Sequence, residues 1–188
     1  MIRATAKNDK ERATGYDTRV MLIIWIILFI LLVSFAYAAV RGAPWVPTRR
    51  RDLDRLIKLL DVKPGQKIYE LGCGDGRVSI LIGKKTGATV VGVELSLAQF
   101  IVACIRRVLS HLPNVYFSFG DVFSVNLADA DAVYLFLMPK TYAKIRAKLE
   151  RELRPGTKVI TYVWPMDGWT PREISSQAGS ENIYLYVR

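Results

Sequence analysis

The sequence predicts an α/β domain, a largely parallel sheet with helices on both faces, preceded by one membrane-spanning helix. Three observations predict it. From Lys67 onward, short β-prone runs alternate with helix-period runs, and repeated βα units imply a parallel sheet covered on both sides. The run from Ala88 to Glu94 is Val-rich and apolar, as a strand buried on both faces should be. Ahead of these, Val20 to Val40 carries no charge over the length that a bilayer core requires.

Residues 1–19 form a polar tail of mixed charge, expected to be disordered or a short frayed helix. Residues 20–40 are the span, flanked by Arg19 and Arg41, with Trp25, Tyr37 and Trp45 at or near the interfaces. Ala36-Tyr37-Ala38 resembles a signal-peptide cleavage site, but the apolar run is longer than a usual signal core, so an anchor is the better reading. Residues 41–66 are a connector and a helix. Pro44 and Pro47 stiffen the connector, and Thr48 is placed to cap the helix. Leu53, Leu56, Ile57 and Leu60 give that helix one apolar stripe, and Pro64-Gly65 ends it.

Residues 67–188 are the α/β domain. Strands are expected over Lys67–Leu71, Ala88–Glu94, Asn114–Phe119, Asp131–Leu137 and Lys158–Trp164. Helices are expected over Arg77–Lys85, Leu97–Leu112 and Lys140–Leu153, the last preceded by Pro139. Thr170–Ser176 and Ile183–Val187 read as an antiparallel pair.

The formal net charge is +10. Residues 41–188 hold 22 of the 27 basic and 14 of the 17 acidic groups, a net of +8. Arg49-Arg50-Arg51 lies just past the span, which favours lipid headgroups over nucleic acid as the partner of this charge. Basic residues balance across the span, so charge alone does not orient it. Cys73 and Cys104 form no C-x-x-C pair, and the sole histidine, His111, ends a helical run before Pro113. No metal site is expected from that set.

The chemistry concentrates at the ends of the strands. Glu70-Leu71-Gly72-Cys73-Gly74-Asp75-Gly76-Arg77 reads as strand, tight loop and helix start, a cradle for a ligand at free helix N–H groups. A dinucleotide fingerprint needs a small residue where Arg77 stands, so that reading fails. Glu94 ends the second strand 18 residues after Gly76, placed to accept both hydroxyls of a ribose. Asp121, with Gly120 and Val122, follows the third strand; a turn or cap role competes there with ligand contact.

The loop, read as Glu70 followed by G-x-G-x-G, resembles motif I of class I S-adenosylmethionine (SAM) methyltransferases. Leu153-Arg154-Pro155-Gly156 resembles a turn common in the same superfamily. The resemblance implies a Rossmann-like seven-stranded sheet and SAM as cofactor. By it, Gly72, Cys73, Gly74, Asp75 and Gly76 wrap the methionine end, with Glu70 holding its ammonium group. Glu94 and Leu95 take the ribose, and Asp121 and Val122 the adenine. Asp75 has loop stabilisation as an alternative role.

A narrower resemblance is to the small membrane-anchored protein-lysine methyltransferases, including those acting on adenine nucleotide translocase and the ATP synthase c-subunit. It rests on Pro44-Trp45-Val46-Pro47-Thr48, the glycine loop, Gly92-Val93-Glu94-Leu95, Phe136-Leu137-Met138-Pro139, Leu149 to Leu153 and Trp169-Thr170-Pro171. It implies a protein substrate with a target lysine, itself membrane-associated or not; the length of the apolar run predicts a single-pass membrane location, and cofactor supply has the domain face the cytoplasm or another SAM-containing compartment. Pro47 and Thr48 would lie over the cofactor, and Pro139, Tyr162 and Trp164 along the substrate entrance, where Tyr162 and Trp164 read equally well as core. No residue stands out as a general base. Phe136 to Lys140 offers neither carboxylate nor amide, which disfavours DNA-base methylation, and no nucleic acid is expected. A membrane lipid as methyl acceptor, and a non-catalytic SAM-binding protein, are the alternatives.

Overall fold

The computed structural model describes residues 18–41 and 45–188. The expected tail over residues 1–17, and Gly42, Ala43 and Pro44 of the connector, lie outside the described residues. Helix α1 (Thr18–Arg41) is followed by a 3-10 turn (Arg50–Asp52) and α2 (Leu53–Leu60). Then come β1 (Lys67–Leu71), α3 (Arg77–Thr86), β2 (Thr89–Glu94), α4 (Leu97–Ser110) and β3 (Val115–Phe119). The chain closes with β4 (Ala132–Leu135), α5 (Pro139–Glu152), β5 (Lys158–Tyr162), β6 (Glu173–Ser175) and β7 (Ile183–Val187).

The seven strands form one sheet in the order β3-β2-β1-β4-β5-β7-β6. β1 to β5 run parallel, while β7 is antiparallel to both β5 and β6. Strand order reverses between β1 and β4, which opens a crevice at their carboxyl ends. Side chains alternate across β1. Ile68 packs with α2 and α3 on one face, and Tyr69 and Leu71 pack with α5 on the other. Glu70 shares the Ile68 face and so lies under α3.

Three strands fall short of the expected range by two residues or more. β5 stops at Tyr162 because Val163 adopts φ +71°, a left-handed conformation that a β-branched residue rarely takes. β4 covers 132–135 of the expected 131–137, and β6 covers 173–175 of the expected 170–176. Thr48 does not cap a helix. Its hydroxyl is 2.7 Å from that of buried Tyr134 in β4, and α2 is instead entered through the 3-10 turn.

α1 has no fully buried side chain. At 1.5 Å per residue its 24 residues reach roughly 36 Å, beyond a hydrocarbon core of about 30 Å. Only Leu31, Ser34, Phe35, Ala38 and Ala39 are half-buried, one stripe at helical spacing. That stripe docks on the start of α4, where Ser34 Oγ accepts a hydrogen bond from the Leu97 N–H at 2.9 Å.

Candidate functional site

The glycine loop joins β1 to α3 above the crevice. Gly74 (φ +54°) passes directly under Trp45, whose indole would lie 2.8 Å from a Cβ placed there. Gly76 (φ +73°) packs against Phe117, 2.4 Å from where its Cβ would be. Both positions therefore need glycine for conformation and for space. Trp45 also lies over Arg77, with the guanidinium 5.6 Å from the ring centroid.

Two carboxylates stand at the neighbouring strand ends. Glu94 Oε2 accepts the Gly74 N–H and Oε1 accepts the Ser96 N–H, each at 2.7 Å. Burial raises the Glu94 pKa, and the N–H groups of Ser96, Gly74 and Leu95 pull against that rise. Three N–H groups on the roughly four acceptor sites of a carboxylate leave acceptor capacity for a ribose edge. Asp121 Oδ1 accepts the Phe123 N–H at 3.0 Å, closing a turn, and Oδ2 accepts from Arg41 of α1 at 2.9 Å. The turn and an ion pair thus hold this side chain at the edge of the crevice.

Glu70 lies beneath the loop and 4% exposed, with its carboxyl accepting from the Ser79 hydroxyl. Burial pushes its pKa up to about 8, although Ser79 opposes the shift. Asp75 behaves differently. Burial works against its ionisation, but Arg77 and Arg106 outweigh it, and its carboxyl stays below the ordinary value. The Cys73 side chain packs against Gly92, and burial pushes its thiol well above the usual range.

A cavity partly open to solvent occupies the crevice. Of the cofactor residues expected from sequence, Gly72, Gly74, Glu94, Leu95, Asp121 and Val122 line it. Glu70, Cys73, Asp75 and Gly76 build the loop from behind instead. Sequence reasoning missed the roof, formed by Trp45 and Val46 of the connector and by Phe35, Ala38, Ala39 and Arg41 of α1. It also missed Gln99 and Phe123. The small residues near the end of an otherwise bulky apolar run were the available signal.

The five expected substrate-side residues are not brought to one wall. Thr48 and Tyr162 are buried, the first against Tyr134 and the second donating to Asp52 Oδ2 at 2.6 Å. Tyr162 also meets Phe136 edge-on at 4.9 Å. Pro47, Pro139 and Trp164 are exposed, with Pro139 at the first turn of α5.

The arrangement suits an adenosyl group: a diol-accepting carboxylate, an acid at the next strand end, and an apolar slot beside a glycine cradle. Comparison with known proteins agrees. Residues 70–173 match the ANTKMT methyltransferase domain. The chain belongs to that family. This ANTKMT-type chain is 32% identical over 154 residues to a protein-lysine N-methyltransferase of Saccharolobus islandicus, covering 77% of this chain and 92% of that protein. It is 30% identical to the human lysine N-methyltransferase named for the ATP synthase c-subunit over 76% of this chain, though only 60% of the human protein is spanned. An RNA methyltransferase from Salinibacter ruber, solved with S-adenosyl-L-homocysteine, superposes with a TM-score of 0.73 at 31% identity, covering 76% of this chain and 93% of that one. The ANTKMT-type chain is therefore a SAM-dependent methyltransferase with a class I sheet.

Proposed function

We propose that this methyltransferase is a single-pass membrane protein that methylates a lysine of a protein at the bilayer surface. Residues 20–40 act as the anchor, 41–66 as the connector and first helix, and 67–188 as the catalytic domain. The observation that carries the membrane part is the docking onto the catalytic domain of a helix that has no charge from Val20 to Val40 and no fully buried residue. A second apolar surface supports it. α4 exposes Ile101, Val102, Ile105, Val108 and Leu109 along one face, beside the docked end of α1. A lipid surface is the occupant continuous with α1. The domain then faces the compartment that supplies SAM.

SAM supplies a methyl group already activated on a sulfonium, so the protein's share is binding and alignment. Glu94 accepts the ribose hydroxyls, with Leu95 beside them. Asp121 and Val122 meet the adenine. Gly72 and Gly74 admit the methionine end, and Glu70 balances its ammonium group from beneath the loop. Asp75, Gly76 and Cys73 hold the loop in shape. Pro47, Pro139 and Trp164 rim the acceptor side, while Thr48 and Tyr162 brace it from the core.

A protein lysine as acceptor is supported by relatives named for that chemistry in an archaeon and in mammals. The test is labelling of membranes with tritiated SAM, with and without the enzyme. Label in a protein band, mapped to methyl-lysine by mass spectrometry, is the expected result. Label in the organic extract or in RNA, with none in protein, overturns the lysine reading.

A further inference from the structure

The apolar helix does more than approach the domain: its last turns close the cofactor cavity. Phe35, Ala38, Ala39 and Arg41 line the cavity on the side of Leu95, Gln99 and Asp121. Two polar contacts hold this wall. Ser34 Oγ takes the Leu97 N–H, one of the orphan donors at the start of α4. Arg41 bonds Asp121 Oδ2 at 2.9 Å. The residues between these contacts that face the cavity include two alanines, where bulk would fill the slot. The outward neighbour Val40 is 73% exposed.

We propose that the carboxyl-terminal turns of α1 are part of the cofactor site: Ala38 and Ala39 pack on the adenosine, and Arg41 positions Asp121 for the adenine amino group. This rests on the assignment of Glu94 and Asp121 to the adenosine. Asp121 Oδ2 has two lone pairs, so it accepts from Arg41 and from the adenine together. A carboxylate offers only acceptors, which favours an amino group over a carbonyl at that edge. Linkage makes the effect reciprocal: a docked helix strengthens cofactor binding, and bound cofactor strengthens docking by the same factor.

The experiment is calorimetry of S-adenosylhomocysteine binding to the full-length protein in one mild detergent. Ala38→Trp should weaken binding at least tenfold without lowering the unfolding midpoint of the free protein. Val40→Trp, bulky but facing outward, should bind as wild type. Arg41→Ala should weaken binding several-fold and also shrink the preference over S-inosylhomocysteine, which carries a carbonyl in place of the amino group. Arg41→Lys should restore part of that preference. Wild-type affinity in both Ala38→Trp and Arg41→Ala, beside lost binding in Glu94→Ala, overturns the proposal alone. Wild-type affinity in Glu94→Ala overturns the site assignment and the proposal with it.

Discussion

A Glu70→Gln substitution keeps the shape of the side chain beneath the glycine loop and an oxygen for the Ser79 hydroxyl, but removes the proton exchange. In the fold the Glu70 pKa stands at about 8 against an ordinary 4.5, chiefly through burial. Below pH 4.5 both folded and unfolded chains hold the proton, and Glu70 carries no penalty. Between pH 4.5 and 8 the unfolded chain releases the proton while the folded one keeps it. Stability then falls by about 1.4 kcal/mol per pH unit and levels off near 5 kcal/mol above pH 8. Relative to wild type, Glu70→Gln should therefore gain roughly 4 kcal/mol between pH 5 and pH 8. Equilibrium unfolding of both full-length proteins in the same detergent, at each pH, measures this difference and cancels the other titrating groups. In the role proposed for it, the same carboxyl ionises to balance a cofactor ammonium. Calorimetry at pH 6.5 in buffers of different ionisation enthalpy should then report about one proton released on cofactor binding, and none for the variant. Stabilities that run parallel across pH, with no buffer dependence of the binding heat, would refute the reasoning.

Glu94→Ala removes the acceptor proposed for the ribose and leaves the Gly74 and Ser96 N–H groups without theirs; by calorimetry it should weaken cofactor binding at least about a hundredfold. Gly76→Ala forces a left-handed φ on alanine and drives its Cβ to 2.4 Å from Phe117. It should lower stability by about 2–4 kcal/mol, seen as a drop in the thermal midpoint. A nitroxide at Val108, on the apolar face of α4, should collide with oxygen more than with an aqueous nickel chelate when the protein is in nanodiscs; the reverse order would remove α4 from the bilayer surface.

The parts of the site written in consecutive residues were legible. The glycine spacing and the acids at strand ends are local, and the parallel sheet brings those ends together whatever the loops do. What stayed hidden depends on distant partners. For Asp75 the sequence leaves ligand contact and loop stabilisation both open, and Arg106, 31 positions away, joins Arg77 in claiming its carboxylate. Thr48 has the chemistry and position of a helix cap, but Tyr134, 86 positions on, takes its hydroxyl. The end of β5 depends on one left-handed residue, Val163, and no propensity rule assigns that conformation to valine. Trp164 follows that turn and is exposed, while Tyr162 before it is core, so two aromatics that looked alike in sequence part company.

The position of the cavity constrains the acceptor more than its lining does. Phe35, Ala38, Ala39 and Arg41 belong both to the end of the apolar helix and to a wall of the cavity. With the helix seated across a bilayer, about 20 residues fill the hydrocarbon and Arg41 emerges at headgroup level. The cofactor is then held at that same level, and an acceptor must arrive there. A lysine near the end of a neighbouring membrane segment meets this condition, because its apolar stem lies along hydrocarbon while its amine reaches the interface. Such an amine also has to lose its proton before it attacks, and the low dielectric beside lipid and the apolar α4 face favours the neutral form. A lysine on a freely diffusing protein gains neither advantage. On the proposed membrane placement, the geometry would select among protein substrates by depth in the membrane, through the same helix turns proposed to complete the cofactor site.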